Sequence, residues 1–93
     1  MTKQDLLAEL DGNVDYDGLK VVYNEDTYEL SAYPDEDGLG IDIDIYRDDE
    51  LQSTIYSAYK PAELKKLDVA QTKQVFAGVN EKIADAILEV AKN

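Results

Sequence analysis

The side chains of this chain that could do chemistry are carboxylates, and they are concentrated in its first half. Residues 11–50 contain fourteen Asp and Glu residues but only two basic ones, Lys20 and Arg47, so this segment has the net charge of −12 found for the whole chain. Ionised carboxylates can transfer protons, coordinate hard cations or bind arginine and lysine. Which of these applies depends on the elements that position them.

Catalysis by paired carboxylates needs a concave pocket and a carboxyl group with a raised pKa, and a 93-residue chain with exposed acids is poorly suited to either. The chain has no histidine and no cysteine, which removes the commonest general base and the thiolate nucleophile. It also has no glycine-rich phosphate loop. The sequence therefore predicts a protein that is not an enzyme and binds no cofactor.

Alternate Asp and Asn residues from 11 to 17 resemble the first ligands of a calcium-binding loop. The sixth position of that loop requires glycine and the twelfth requires glutamate, but the chain has Tyr16 and Val22 there. No metal site is predicted.

The length fits one domain, residues 1–93, and the 44% hydrophobic content favours a folded chain over a disordered acidic one. No apolar run approaches the roughly 18 residues of a membrane span, and the start lacks a secretory signal pattern. Without cysteine the chain suits a reducing compartment, so we expect a cytoplasmic protein. Its acidity disfavours direct contact with nucleic acid or with an anionic membrane.

Helical and strand periodicities alternate along the chain. Thr2 and Asp5 form a capping pattern for a helix over about residues 3–10, which ends at the turn residues 11–13. From Leu19 the period becomes two, which predicts a hairpin with a turn at residues 24–26 and a second strand that ends at Pro34.

The third strand has the strictest alternation. Leu39 and three isoleucines are predicted to face inward, and Gly40, Asp42, Asp44 and Tyr46 to face solvent. After a turn at residues 48–49, a fourth strand over residues 51–58 has Leu51 and Ile55 on one inward face if it is regular, and a bulge near residues 53–54 would change that register.

Two helices close the chain. Pro61 suits the first position of a helix that contains Leu64 and Leu67. Asp68 and Gln71 then cap a long helix, with a possible bend near residues 78–80. Its apolar stripe is Phe76, Val79, Ile83, Ile87 and Val90. We predict an α+β fold, a four-stranded antiparallel meander in the order α-β-β-β-β-α-α, with the helices on one face.

The other face of this sheet would be acidic. Asp42 and Asp44 would lie about 6.6 Å apart, close to two steps of the roughly 3.4 Å phosphate spacing of one DNA strand. Alternation also puts Tyr33, Thr54 and Tyr56 on this face. The tyrosines would suit a protein interface, or they would pack across strands as ordinary aromatic pairs. Partner-binding residues are predicted on this face and at the hairpin tip: Glu29, Asp35, Glu36, Asp37, Asp42, Asp44 and Tyr46. The same charges are also expected if this face only keeps the protein soluble and prevents strands of different molecules from pairing edge to edge.

The opening segment Thr2-Lys3-Gln4-Asp5-Leu6-Leu7, and the acidic tip at residues 35–38 before the strand at 41–45, resemble small phage-encoded inhibitors of bacterial defence, in particular type II anti-CRISPR proteins. The resemblance lies in element order and composition across most of the chain, and the fourth strand departs from the three-stranded versions. It implies an acidic protein that occupies the DNA-binding cleft of a nuclease as a nucleic-acid mimic.

These observations predict a small acidic protein that acts as a stoichiometric inhibitor, or nucleic-acid mimic, of a basic nucleic-acid-handling protein. The residues do not exclude two alternatives. One is an immunity protein or antitoxin against a basic toxin. The other is a non-catalytic assembly subunit that forms a homodimer through the C-terminal apolar stripe. The oligomeric state is left open.

Overall fold

A computed structural model describes residues 2–13 and 15–92 of the chain. Its elements are α1 (Lys3–Leu10), β1 (Lys20–Tyr23), β2 (Asp26–Pro34), β3 (Ile41–Arg47), β4 (Glu50–Ser57), α2 (Pro61–Leu64) and α3 (Val69–Ala91). The strands form an antiparallel sheet in the order β1-β2-β3-β4. The predicted α+β meander is confirmed. No helix in the described part is long and apolar enough to cross a bilayer.

Two of the helices begin at the predicted capping boxes. The Thr2 backbone N–H donates to Asp5 Oδ2 at 2.7 Å, and the Gln71 backbone N–H donates to Asp68 Oδ1 at 2.8 Å. These side chains satisfy N–H groups that have no partner within the helix. The 23-residue helix α3 continues through Gly78 without interruption, whereas α2 is a single turn that ends at Leu64. The prediction that the α2 helix includes Leu67 is therefore wrong.

Two-residue turns connect the outer hairpins. Asn24 and Glu25 link β1 to β2, and Asp48 and Asp49 link β3 to β4. All four residues have positive φ, between 50° and 72°. Turns of this type match the twist of the flanking strands, and Asn and Asp tolerate such φ values better than most residues. Some of the acidic residues therefore occur where turn geometry favours them.

The core lies between the sheet and the helices. Tyr28 and Leu30 of β2 and Ile43 and Ile45 of β3 face inward and are buried. Helices α1 and α3 pack on the same side, and every residue of the apolar stripe of α3 is buried in this core. A homodimer would therefore need a different surface.

The edge strand β4 contains a bulge, one residue earlier than predicted. Ile45 pairs with Ser53 and Tyr46 pairs with Leu51, so Gln52 is the extra residue. The bulge puts Leu51 and Ile55 on opposite faces, and Leu51 is exposed. With the same two-residue turn and no bulge, Thr54 would pair with Ile43 and Ile55 with Asp42, so Thr54 and Tyr56 would face the core and Ile55 would face solvent.

The start of β3 also differs from the prediction. Leu39 lies in the tip that connects β2 to β3 and is 63% exposed, so it does not face inward. Gly40, which we predicted to face solvent, is buried. A Cβ atom at Gly40 would collide with the Ser57 carbonyl oxygen and lie 2.9 Å from Cε1 of Tyr56. Glycine is needed here because the ring of Tyr56 and β4 pack directly against the backbone.

We expect Gly40→Ala to destabilise the protein by about 1–3 kcal/mol, because the added methyl group has no space. Gly78→Ala is the matched control, since a Cβ atom at Gly78 meets nothing within 4 Å. It should stabilise α3 by about 0.5–1 kcal/mol. Urea unfolding of both variants measures the difference, and equal stabilities would contradict this account of Gly40.

Candidate interaction surface

The outward face of the sheet is organised in transverse rows by the strand register. One row contains Tyr33, Asp42 and Tyr56, and the next contains Ser31, Asp44 and Thr54. Adjacent strands are about 4.8 Å apart, so each aspartate lies between two hydrogen-bonding neighbours. The predicted positions of Asp42 and Asp44 on this face are confirmed by the register.

The hairpin tip folds back toward the same face. The Asp35 backbone N–H donates to the Gly40 carbonyl oxygen at 3.0 Å, which closes the tip. The Asp37 N–H donates to Asp35 Oδ2 at 2.9 Å, and the Leu39 N–H donates to Asp37 Oδ1 at 2.7 Å. These bonds fix the directions of both carboxylates.

Hydroxyl groups from β2 and β4 hold two of the carboxylates. Tyr33 and Thr54 both donate to Asp44 Oδ1, at 3.0 and 2.7 Å. Tyr56 donates to Asp37 Oδ2 at 3.0 Å. These bonds to carboxylates are the main reason why the pKa values of Tyr33 and Tyr56 are raised. Both tyrosines therefore remain hydrogen-bond donors at neutral pH.

The remaining two carboxyl groups, those of Asp35 and Asp42, are coupled to each other. The interaction with Asp35 is the main cause that raises the pKa of Asp42 to about 6, and partial burial and the neighbouring acidic charges act in the same direction. The pKa of Asp35 is lowered, first by its bond from the Asp37 backbone N–H and then by its interaction with Asp42. As pH falls, Asp42 is therefore the member of the pair that takes up a proton first.

We call this group the acidic patch. Its members are Tyr33, Asp35, Asp37, Asp42, Asp44, Thr54 and Tyr56. It unites four of the seven predicted partner-binding residues, since Asp35 and Asp37 of the tip join Asp42 and Asp44 of β3.

The other three predicted residues lie outside the acidic patch. Glu36 is exposed at the tip. Glu29 and Tyr46 are cross-strand partners in the row beyond Asp44, and Lys20 of β1 is opposite Glu29. A basic residue at that position reduces the negative potential of the row. The structure therefore separates Glu29 and Tyr46 from the strongest cluster of charge.

Within residues 2–13 and 15–92, the ion pairs do not involve the acidic patch. Lys3 bonds to Glu81 and to Asp85, and Lys92 lies 3.8 Å from Glu89. All of these residues belong to α1, α3 or the end of α3. Lys82 approaches the patch from α3, but its ammonium group donates to the Tyr56 carbonyl oxygen at 2.9 Å. The patch carboxylates are held by hydroxyl and amide donors, which leave their charge uncompensated.

In the part of the chain that the structure describes, no three acidic side chains are arranged to hold a metal ion. Asp37 and Asp44 accept hydrogen bonds from different hydroxyl groups. A surface of this kind can form charge-assisted hydrogen bonds with several cationic side chains at once.

The sequence did not predict that hydroxyl groups orient the carboxylates of this face. The alternation placed Tyr33, Thr54 and Tyr56 on the polar face, but it did not identify them as the donors that orient Asp37 and Asp44. The bond between Tyr56 and Asp37 joins residues 19 positions apart. It requires both the bulge in β4 and the folded tip, and neither geometry can be read from alternation.

A scan against protein-family models and searches of curated proteins and of solved structures find no match to this chain. The resemblance to anti-CRISPR inhibitors stays a prediction.

We expect the Asp35–Asp42 pair to make stability depend on pH. The pKa of Asp42 is raised from 3.8 to about 6 in the folded protein, so the stability that its protonation contributes is complete below pH 3.8 and is lost as pH rises to about 6. Asp42→Asn, which keeps a donor for Asp35, should therefore be more stable than the unmodified protein at pH 7.5 and similar to it at pH 3.5.

Asp48→Asn is the control, because it removes one charge in the turn between β3 and β4 and leaves the Asp35–Asp42 pair intact. Urea midpoints at both pH values test the expectation. If Asp48→Asn reproduced the pH-dependent gain of Asp42→Asn, general charge repulsion and not the carboxyl pair would be responsible.

Proposed function

We propose that the protein is a stoichiometric inhibitor that binds a basic nucleic-acid-handling protein through the acidic patch. The observation that supports this most directly is that four carboxylates converge on one exposed surface without an ion-pair partner among the described residues. A surface of fixed negative charge attracts a cationic cleft over long range and accelerates association.

The spacing of the charges agrees with mimicry of a polyanion. Asp42 and Asp44 are separated by one alternate-residue step of β3, roughly twice the axial spacing of phosphates on one DNA strand. The hydroxyl and amide donors hold the carboxylates in place before binding. These side chains therefore lose less conformational entropy when a partner binds. The protein would act in the cytoplasm, where such partners contact nucleic acid.

A binding role also agrees with the cavities. The groove between α1 and α3 has a volume of about 840 Å³, and its acidic lining residues, Asp11 and Glu81, are both exposed. Neither is the buried carboxyl group that a general acid would need.

We expect binding to require the charges of the acidic patch. Asp42→Asn combined with Asp44→Asn keeps the hydrogen-bond acceptors but removes both charges, and should weaken complex formation about tenfold. The matched control is Asp48→Asn with Asp49→Asn, at positive φ values that Asn adopts readily. It removes the same charge from the opposite end of β3 and should change affinity less than about threefold.

The measurement begins with affinity capture from a bacterial lysate at low salt, followed by a salt gradient. Captured proteins are purified and titrated against three chains, the unmodified protein and the two double variants, and a DNA duplex is added as competitor. A basic nucleic-acid-binding protein that DNA displaces at one-to-one stoichiometry supports the proposal. A partner that binds both double variants equally, or that DNA does not displace, contradicts it, and a secreted or plasmid-encoded toxin as partner favours the immunity alternative.

A further inference from the structure

The groove between α1 and α3 lies on the helical side of the sheet, and the acidic patch lies on the other side. One face of each helix forms a wall of the groove, because its lining residues are three or four positions apart. Leu7 and Ala8 belong to the α1 wall, and Phe76 and Ala77 belong to the α3 wall. Val69 begins the α3 wall and is 73% exposed, the largest exposed fraction among the large hydrophobic side chains that the structure describes. The groove is therefore an apolar surface that no described segment of the chain covers.

Two residues of opposite charge line this groove without an ion-pair partner. Lys73 on the α3 wall and Asp11 at the end of the α1 wall are exposed, and neither forms an ion pair with another described residue. The third charged lining residue, Glu81, bonds to Lys3. Because the unpaired cation and the unpaired anion are on opposite walls, the groove is complementary to itself. A two-fold axis through it would place Lys73 of each copy opposite Asp11 of the other.

The distribution of charge also favours a second copy at this groove. Outside residues 11–50 the chain has seven acidic and seven basic side chains, and both helices belong to this balanced part. The acidic patch is on the far side of a molecule whose shortest dimension is 18 Å, whereas charges are screened over about 8 Å at physiological ionic strength. Two copies that meet at the groove therefore keep their acidic patches outward and screened from each other.

We propose that the groove between α1 and α3 binds the same groove of a second copy, so that the protein is a two-fold symmetric dimer with one acidic patch on each outer side. Ala8 and Ala77 are small and exposed, which lets the helices of the two copies approach closely. An uncharged ligand would leave Lys73 and Asp11 unpaired, which makes a second copy the better occupant. The dimer does not depend on the proposed function, because it uses a different surface.

Sedimentation equilibrium of the full chain at several protein concentrations tests the dimer, at about 20 mM and about 150 mM salt. We expect a monomer–dimer equilibrium whose dissociation constant falls about tenfold at the higher salt, because screening weakens the repulsion between copies of net charge −12. Complex formation with a basic partner should respond to salt in the opposite direction. A monomer at every concentration up to about 1 mM would overturn the inference, and would assign the groove to a ligand or to a helix of another protein.

Charge-reversal variants identify the surface. Lys73→Asp places like charges opposite each other and should raise the dimer dissociation constant about tenfold. Asp11→Lys should raise it similarly, although it makes the net charge less negative and would strengthen association if only general repulsion acted. The two changes together restore the pairs and should return the constant to within about threefold of the unmodified protein. Lys66→Asp, at an exposed position outside the groove, controls for net charge. Stronger association of Asp11→Lys, or no recovery in the double variant, would overturn the inference.

The apolar part of the contact is tested at Val69. Val69→Ser removes one exposed apolar side chain from each copy and should raise the dimer dissociation constant about tenfold. Leu51→Ser is the matched control, because Leu51 is 55% exposed on the sheet face away from the groove, and it should change the constant less than about threefold. Urea unfolding at low protein concentration verifies that both variants are folded. A dimer that both variants weaken equally would contradict a contact at the groove.

Discussion

The pairing register of β2, β3 and β4 is the constraint on which the rest of the structure depends. Side chains alternate between faces along a strand, so one register buries Ile43 and Ile45 and exposes Asp42 and Asp44. A shift by one residue would bury two carboxylates and expose the isoleucines. The hydrophobic core therefore fixes the position of the charges, although it does not contact them. The bulge at Gln52 extends this arrangement to β4.

The acidic patch is stabilised by hydrogen bonds in place of ion pairs. Hydroxyl groups of Tyr33, Thr54 and Tyr56 and backbone N–H groups of the tip orient the carboxylates. Such donors fix a carboxylate without neutralising it, whereas a lysine would have cancelled its field. The pKa of Asp42 is raised to about 6, first by its interaction with Asp35, so the repulsion between these carboxylates falls only when pH drops below that value. The surface is consequently ordered before any partner binds and still carries most of its charge.

The many acids of residues 11–50 have two distinct structural roles. Asp48 and Asp49 occupy a turn with positive φ, and the Asp17 side chain accepts a bond from the Ala32 backbone N–H at the edge of β2. Local backbone chemistry explains these positions. The four acids of the acidic patch are different, because their carboxylates meet other side chains across strands. Only the second group supports a binding surface. Four of the fourteen acids of residues 11–50 are therefore assigned to the proposed contact with a partner.

The sequence by itself determined the order of the elements, the helix N-caps Thr2 and Asp68, and the outward position of Asp42 and Asp44. These follow from local capping chemistry and from period-two alternation, which involve residues close together in the chain. Tertiary structure decided the exact place of the bulge, the burial of Gly40, the exposure of Leu39 and the separation of Glu29 from the acidic patch. It also brought Asp35 to Asp42 and Asp37 to Tyr56. The physical reason is that these contacts depend on how the tip closes and how neighbouring strands align, and a periodic pattern within one strand contains no information about its neighbours.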